Sequence, residues 1–168
     1  YGLSATGLRF FTVYGPWGRP DMAPIIFSKA IMEDKPLKVF NFGKMKRDFT
    51  YIDDVVEGIY RCCKKPASKD DHFDYLNPNP STSYAPHRIF NLGNNSTTEL
   101  LYFINLLEEN LGKKANMIFE PMQNGDVTET SANIDLLYKW IGYKSKVSIE
   151  EGIKKFSQWF LKFYEYEK

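Results

Sequence analysis

The sequence contains few of the residues on which disulfide, zinc and thiol chemistry depend. Among its 168 residues there are only two cysteines, Cys62 and Cys63, and two histidines, His72 and His87. Neighbouring cysteines rarely form a disulfide with each other, so the pair favours a reducing, cytoplasmic setting. The same scarcity argues against any metal site of the zinc type, and no Ser-His-Asp or Cys-His pattern has a suitable spacing. We expect both histidines to be exposed.

The sequence also lacks a dominant charge and a long apolar run. Its 22 Lys and Arg residues balance 21 Asp and Glu residues, for a formal net charge of +1. A nucleic-acid partner therefore has no electrostatic support. No apolar run is long enough to span a bilayer, and no signal peptide is recognisable, so no membrane partner is expected. Hydrophobic residues make up 43% of the chain, enough for the core of a globular protein.

A third absence concerns nucleotide cofactors. A dinucleotide site needs a glycine-rich turn between a strand and a helix, where backbone amides approach the pyrophosphate. Gly15 and Gly18 follow a predicted strand, but Pro16 and Pro20 remove amides from the same loop. The sequence therefore predicts that this chain alone binds NAD poorly.

Hydrophobic periodicity and turn residues predict strands that alternate with helices. The predicted strands cover residues 7–13, 38–42, 49–52, 88–92 and 116–120. The predicted helices cover residues 25–32, 53–64, 100–111 and 134–141, and a last helix starts at 149. A long polar surface loop is expected over residues 67–87. This alternation indicates an α/β or α+β arrangement.

Several helix ends carry recognisable signals. Ser96 with Glu99, and Ser148 with Glu151, have the spacing of capping boxes. Gly112 is placed to end the helix before it.

The second helix also has a predicted cap and a predicted inner face. Asp53 or Asp54 can cap its first turn, because a carboxylate accepts hydrogen bonds from the free amides there. Helical spacing predicts a buried stripe that consists of Val56, Ile59, Tyr60 and Cys63.

Four segments, taken in order, resemble the extended short-chain dehydrogenase/reductase family. Residues 8–16 (LRFFTVYGP) are similar to the strand and loop that follow its Tyr-x-x-x-Lys helix. Residues 47–54 (RDFTYIDD) are similar to its Arg-Asp-Phe/Tyr-x-x-Val/Ile-x-Asp motif. Residues 90–93 (FNLG) resemble a strand end of the family, and residues 125–126 resemble the Gly-Asp near the nucleotide ribose. Each motif is short, but their order and spacing are specific and cover essentially the whole chain.

The resemblance implies an α/β fold, namely the C-terminal part of an extended short-chain dehydrogenase Rossmann-type fold. A small mixed sheet and helices would form its nucleotide-sugar domain. Residues 1–168 would be the substrate (UDP-sugar) binding portion, and the N-terminal NAD-binding portion would be absent. No catalytic residue is then expected in this chain, because the Tyr-x-x-x-Lys pair lies upstream. Tyr1 has no lysine at the required spacing, so we do not expect it to replace that tyrosine.

Within the family, residues 12–23 (TVYGPWGRPDMA) resemble the UDP-glucuronate 4-epimerases. This implies interconversion of UDP-glucuronate and UDP-galacturonate through a 4-keto intermediate, with NAD as cofactor and a homodimer as the intact protein. The alternatives are a UDP-glucose 4-epimerase, a UDP-glucuronate decarboxylase, a dTDP-glucose 4,6-dehydratase, or a nucleotide-sugar binding fragment without catalysis. The fragment alternative fits the expectation that this chain alone is inactive.

The resemblance assigns two residues to the sugar carboxylate and one to the diphosphate. Thr12 and Arg19 would hold the carboxylate, since a guanidinium fork and a hydroxyl suit it. Arg47 would bind the diphosphate. The structural alternatives are a solvated Arg19, a Thr12 hydroxyl bonded to backbone, and an ion pair from Arg47 to Asp48 or Asp53.

The remaining implied contacts surround the nucleoside and the cofactor. Asp126 would accept hydrogen bonds from the ribose hydroxyls, or would serve only as a turn residue. The other implied substrate contacts are Val39 and Phe40 beside the uracil, with Pro24 and Lys29 at the border of the same pocket. The implied cofactor contacts are Tyr14 and Pro16.

Overall fold

The computed structural model describes residues 2–166, in which strands and helices alternate as predicted; Tyr1 lies outside the described residues. The strands are β1 (Ala5–Phe10), β2 (Thr12–Tyr14), β3 (Pro36–Val39), β4 (Lys46–Tyr51), β5 (His87–Leu92), β6 (Thr97–Glu99) and β7 (Asn116–Phe119). The helices are α1 (Ala23–Met32), α2 (Ile52–Lys64), α3 (Leu100–Leu111), α4 (Asp135–Ile141) and α5 (Ile149–Phe163). The α/β fold class is confirmed.

The strands form small sheets with mostly parallel pairing. β1 pairs with β5, β2 with β4, and β3 with β7, all in parallel, whereas β6 runs antiparallel to β4. The single strand predicted over residues 7–13 is therefore two strands with different partners. Phe11 lies at the break, where its amide donates to the Leu92 carbonyl at 3.2 Å, and the chain then moves to β4. This division places the start of β2 beside the start of α1.

The main core lies between β2, β4 and the helices α1, α3 and α5. The Phe49 and Phe103 rings stack there with centroids 4.3 Å apart, and the Tyr14 ring packs edge-on against both. Full burial of such side chains contributes about 1.5–3 kcal/mol each. This aromatic layer fixes the strands on which the candidate site is built.

The predicted buried face of α2 is wrong. The stripe predicted to be buried is exposed, with Val56 at 54% and Tyr60 at 56% of full exposure, and Ile59 and Cys63 are exposed as well. The helix packs through a neighbouring face that contains Val55, Gly58 and Cys62. The reason is close approach to β5, since a Cβ on Gly58 would lie 2.7 Å from Leu92 Cδ1.

The capping predictions for α3 and α5 have different outcomes. Ser148 caps α5, and its Oγ accepts from the Glu151 amide at 3.2 Å. Gly112 ends α3 in the left-handed region, with φ of 70°. The Ser96–Glu99 box is wrong, because Thr97–Glu99 form β6 and Glu99 is itself the cap residue, without a side-chain bond. Pairing with β4 extends the backbone just where the box would need a helical turn.

The cap predicted for α2 is also wrong. The N-cap position is Tyr51, and Asp53 and Asp54 lie in the first turn. Asp54 is turned away from the helix end. Its Oδ2 instead accepts from Ser145 Oγ and from the Lys146 and Val147 amides, at 2.7, 3.0 and 2.9 Å. The carboxylate thus joins α2 to the segment that precedes α5.

The segment between α2 and β5 is irregular, as predicted for the long loop. The Arg88 guanidinium holds it to β5 by donating to the Ser68 and Lys69 carbonyls, both at 3.1 Å. His72 is exposed, as expected, but His87 begins β5 and is half-buried. Within residues 2–166, none of the helices combines the length and the apolar character needed to cross a bilayer.

Candidate functional site

A cavity of about 560 Å³ opens between α1, the end of β3 and the starts of β2, β4 and α3. Most of its wall is apolar, and α1 and β3 contribute much of it. The apolar lining residues are Met22, Ala23, Ile26, Phe27, Ala30, Pro36, Leu37, Phe40, Met45, Phe49 and Leu100. An apolar wall with a few convergent polar groups is typical of a small-molecule site.

The cavity brings together four of the predicted substrate-binding residues. Thr12, Phe40, Arg47 and Asp126 all line it, although they come from β2, the turn after β3, the start of β4 and a loop before α4. Parallel pairing of β2 with β4 sets Thr12 opposite Phe49, two residues after Arg47. The polar groups therefore lie around one apolar space.

Arg47 and Asp126 form an ion pair at the cavity wall. Arg47 Nη2 donates to Asp126 Oδ1 at 2.8 Å, with the two side chains 18% and 34% exposed. Arg47 Nη1 also donates to the Lys46 carbonyl at 2.9 Å. The ion pair predicted as an alternative for Arg47 therefore exists, but its partner is Asp126 rather than Asp48 or Asp53. The guanidinium keeps further N–H donors, and Asp126 keeps its second carboxylate oxygen.

The turn after β3 supplies the Phe40 side of the cavity. The strand predicted over residues 38–42 ends at Val39, because Asn41 and Phe42 adopt φ of 49° and 51°, in the left-handed region. Such a conformation is uncommon for residues other than glycine and often accompanies a functional constraint. Val39 itself is fully buried, and its carbonyl accepts from the Glu120 amide at 3.0 Å. Phe40, not Val39, faces the cavity.

Thr12 and Arg19 lie on different parts of the site. Thr12 lines the cavity itself. Arg19 is 73% exposed and does not line the cavity, but it pairs with Asp21, which does. Hydrogen bonds from this guanidinium lower the pKa of the Asp21 carboxyl below its usual value. Of the two residues predicted to hold the carboxylate, Thr12 therefore lies at the cavity wall and Arg19 in an ion pair at its rim.

The other predicted contacts lie outside the cavity wall. Pro24 is buried in the first turn of α1, where its carbonyl accepts from Ser28 Oγ at 2.8 Å. Lys29 Nζ lies 4.5 Å from the ring centroid of Tyr164. Pro16 is half-buried in the loop after β2.

Tyr14, the other predicted cofactor contact, is 3% exposed. Burial raises the pKa of its phenol well above the ordinary value, so the hydroxyl stays protonated at neutral pH. Its ring is enclosed by core residues, which leaves mainly its backbone for a cofactor contact.

Asp48 is the functionally connected residue that the sequence interpretation missed. Its buried carboxylate accepts from the Asn94 amide at 2.7 Å and from the Asn95 and Ala132 amides at 3.0 Å each. Side chains alternate along a strand, so Arg47 faces the cavity while Asp48 faces these loops. That alternation was the available signal. The bonds fix β4, and with it the position of Arg47.

The described residues offer no metal centre, since residues 2–166 nowhere bring three His, Cys, Asp or Glu side chains together as ligands. The polar side chains that line the cavity are instead one guanidinium, one ammonium, one hydroxyl and two carboxylates, from Arg47, Lys38, Thr12, Asp21 and Asp126. Such groups suit a ligand that carries phosphate, hydroxyl and carboxylate groups beside an apolar ring.

Comparison with known proteins agrees with this arrangement. Residues 1–93 match the model of the NAD dependent epimerase/dehydratase family. Protein CapI of Staphylococcus aureus is 50% identical over 98% of this chain and 49% of its own length. A probable UDP-glucuronate 4-epimerase of Rhizobium meliloti is 43% identical over 95% of this chain and 47% of its own length. The chain therefore spans about half the length of the curated relatives it matches.

A solved structure shows the same fold. The UDP-glucuronic acid 4-epimerase of Bacillus cereus, in complex with UDP-glucuronic acid and NAD, superposes with a TM-score of 0.75 at 32% identity. The match covers 94% of this chain and 45% of that enzyme. Together with the family match over more than half of these residues and the motifs that line the cavity, this shows that the chain belongs to the NAD dependent epimerase/dehydratase family.

Proposed function

We propose that this chain forms the nucleotide-sugar site of an NAD-dependent UDP-glucuronate 4-epimerase, which interconverts UDP-glucuronate and UDP-galacturonate. The observation that carries the proposal is the joint presence of Thr12, Arg47 and Asp126 around one apolar cavity. The rim pair Arg19–Asp21 adjoins it. The Bacillus cereus relative, which was crystallised with UDP-glucuronic acid, supports the choice of substrate.

Each part of a UDP-sugar has a complementary group in this arrangement. The Arg47 guanidinium is proposed to bind the diphosphate, and such a charge-assisted bond contributes about 1.5–3 kcal/mol. Asp126 already accepts from Arg47 through Oδ1, so its Oδ2 is left for the ribose hydroxyls. The Phe40 ring is proposed to lie near the uracil, beside the apolar wall.

Thr12 and Arg19 are proposed to hold the C5 carboxylate of the sugar. This grip has a chemical purpose, because the 4-keto form of a glucuronate is a β-keto acid. Such an acid loses CO₂ readily when the breaking C–C bond stands perpendicular to the carbonyl plane. Holding the carboxylate away from that geometry favours epimerisation over decarboxylation.

The residues described here do not by themselves form a dinucleotide site. The loop between β2 and α1 contains Pro16 and Pro20, and no glycine-rich turn opens a helix within residues 2–166. We therefore propose that a region outside this chain holds most of NAD and provides the Tyr-x-x-x-Lys pair, while Pro16 and the Tyr14 backbone border the cofactor. When bound, NAD supplies hydride transfer at C4 of the sugar.

The alternatives receive less support. UDP-glucose and dTDP-glucose carry no carboxylate for Arg19 to meet. A decarboxylase would need the opposite alignment, with the breaking C–C bond held perpendicular to the carbonyl plane. A homodimeric, cytoplasmic enzyme completes the proposal, on the strength of the family resemblance and the cysteine usage.

Product analysis tests the proposal. A polypeptide that carries this chain together with its NAD-binding region is incubated with UDP-glucuronate and NAD. We expect UDP-galacturonate without CO₂ release. Stoichiometric CO₂ would indicate a decarboxylase and contradict the proposal, as would turnover of UDP-glucose in preference to UDP-glucuronate. The 168-residue chain alone, tested in parallel, is expected to show no turnover.

A further inference from the structure

The loop that carries Arg19 is fixed at two points. At one end, the Trp17 ring packs against Phe163 and Trp159 of α5, with centroids 4.9 and 5.8 Å away. At the other end, the Met22 amide donates to the Arg19 carbonyl at 3.1 Å and closes a turn over residues 19–22. Pro at the second position of such a turn presets its backbone angle. The turn brings the third residue, Asp21, back toward the side chain of the first.

Asp21 holds one edge of the Arg19 guanidinium. Nε donates to Oδ1 at 3.0 Å and Nη2 donates to Oδ2 at 2.8 Å, so both carboxylate oxygens are engaged. A guanidinium has five N–H donors in a rigid plane. The two bonds use the Nε–Nη2 edge and leave both Nη1 hydrogens and one Nη2 hydrogen for a second acceptor. The Nη1–Nη2 edge can therefore receive another carboxylate while Asp21 stays bound.

The ion pair lies at the edge of the cavity. Asp21 lines the cavity, whereas Arg19 lies outside its wall. Without Asp21, the long Arg19 side chain would sample many rotamers in solvent, since it is 73% exposed. Ordering it on binding would then carry the full entropy cost of a flexible side chain.

We propose that Asp21 is a positioning residue that pre-orients the Arg19 guanidinium toward the sugar carboxylate and thereby sets the preference for a uronic acid over a neutral sugar. The inference rests on the proposed function and adds a residue to it. Asp21 contacts neither the phosphates nor the reacting carbon in this role. It acts through Arg19.

Two electrostatic effects of removing Asp21 must be separated. Loss of a negative charge at the cavity favours every anionic nucleotide, with or without a sugar carboxylate, and both side chains are exposed enough for salt to screen this effect. Loss of the guanidinium alignment weakens only the binding of the uronic acid. The ratio of the dissociation constants for UDP-glucose and UDP-glucuronate cancels the effect on the diphosphate that both ligands share. Relief of repulsion between Asp21 and the extra carboxylate of UDP-glucuronate would raise this ratio, so a fall in the ratio reports the lost alignment.

The test measures that ratio by calorimetry on the NAD-loaded polypeptide that carries this chain. The variants are Asp21→Asn, Arg19→Ala and the double variant, with thermal unfolding as a check on folding. We expect Asp21→Asn to lower the ratio about tenfold, while the Kd for UDP changes less than about twofold. In the Arg19→Ala background, Asp21→Asn should not lower the ratio any further, because residues that act through one another are not additive.

The outcomes separate the two proposals. Two results would overturn the positioning role while leaving the substrate assignment intact. One is an unchanged ratio of dissociation constants in Asp21→Asn, and the other is an equal fall in this ratio with and without Arg19. If the wild-type protein shows no preference for UDP-glucuronate over UDP-glucose, the substrate assignment itself is contradicted. The split of kinetic constants gives a second readout. We expect Asp21→Asn to raise KM for UDP-glucuronate more than it lowers kcat, and a fall in kcat alone would also count against the inference.

Discussion

The buried carboxylate of Asp48 provides the sharpest stability prediction. Its two oxygens both receive backbone hydrogen bonds, Oδ1 from the Asn94 amide and Oδ2 from the Asn95 and Ala132 amides. In an Asp48→Asn variant one of these oxygens becomes an NH₂ group. Whichever way the amide turns, an N–H donor then faces another donor in a fully buried position.

The expected cost follows from these contacts. A buried donor left without a partner costs about 1–3 kcal/mol, and each charge-assisted bond that becomes neutral loses part of about 1.5–3 kcal/mol. We therefore expect Asp48→Asn to lower the free energy of unfolding by about 3–5 kcal/mol. Because Asp48 supports the strand that carries Arg47, the site should loosen together with the fold.

Asp54 and Asp53 supply matched controls in the same motif. The three donors to Asp54 all end on Oδ2, so in Asp54→Asn the remaining oxygen can take that place. We expect a smaller loss there, about 1–2 kcal/mol. Among residues 2–166, none donates such a bond to the exposed Asp53. Asp53→Asn should therefore cost less than about 1 kcal/mol, through its place in the first turn of α2.

Urea unfolding of the 168-residue chain, followed by circular dichroism, measures the three free energies. The predicted order of destabilisation is Asp48→Asn, then Asp54→Asn, then Asp53→Asn. Equal losses of unfolding free energy in Asp48→Asn and Asp54→Asn would contradict the expectation that Asp48 needs both of its oxygens as acceptors whereas Asp54 needs only one. A loss at Asp48 no larger than that at Asp53 would refute its role as a support for β4.

Further predictions concern packing and pH. Gly152→Ala should destabilise the chain by about 3 kcal/mol or more in urea unfolding, because the new Cβ would clash with the Tyr14 ring and hydroxyl. A variant that unfolds at the same urea concentration as the wild type would show that residue 152 and Tyr14 do not pack so closely. Burial alone would raise the pKa of Glu108, but bonds from Lys114 and the Ala115 amide outweigh it and hold the pKa below its usual value. Because the pKa of Glu108 is lower in the folded state, ionised Glu108 stabilises the fold above its unfolded-state pKa of about 4.3. This stabilisation is lost as the pH falls through the folded-state pKa. Glu108→Gln should thus be less stable than wild type at neutral pH, and the difference should shrink below about pH 4; a pH-independent difference would contradict this.

The sequence predicts local features well where the cause is local. Ser148 caps α5 by accepting a hydrogen bond from the amide of Glu151, three residues later. Gly112 ends α3 because glycine adopts the left-handed conformation there without steric strain. Where the cause is distant, prediction from the sequence fails. The backbone donors to Asp48 come from segments 46 to 84 residues away, and no spacing rule reveals them. The face of α2 was mispredicted because close packing at Gly58 outweighed the hydrophobic stripe.

The candidate site was predictable only in part for the same reason. The family motifs identify Arg47 and Asp126 separately, 79 residues apart, and the fold joins them in an ion pair at 2.8 Å. Asp21 received no role from the sequence, because its meaning depends on the turn that brings it to Arg19. Ile26 and Phe27 of the apolar wall belong to the helix predicted over residues 25–32, but they could not be assigned to a cavity without the neighbouring strands.

A crystal structure of the complete polypeptide with UDP-glucuronate bound tests the central claim most directly. We predict that the uronate carboxylate lies within hydrogen-bonding distance of both the Thr12 hydroxyl and the Nη1–Nη2 edge of Arg19. Asp21 should still hold the Nε–Nη2 edge, and the diphosphate should lie at Arg47. A carboxylate that faces bulk solvent, with Arg19 turned away from the glycosyl end, would contradict it.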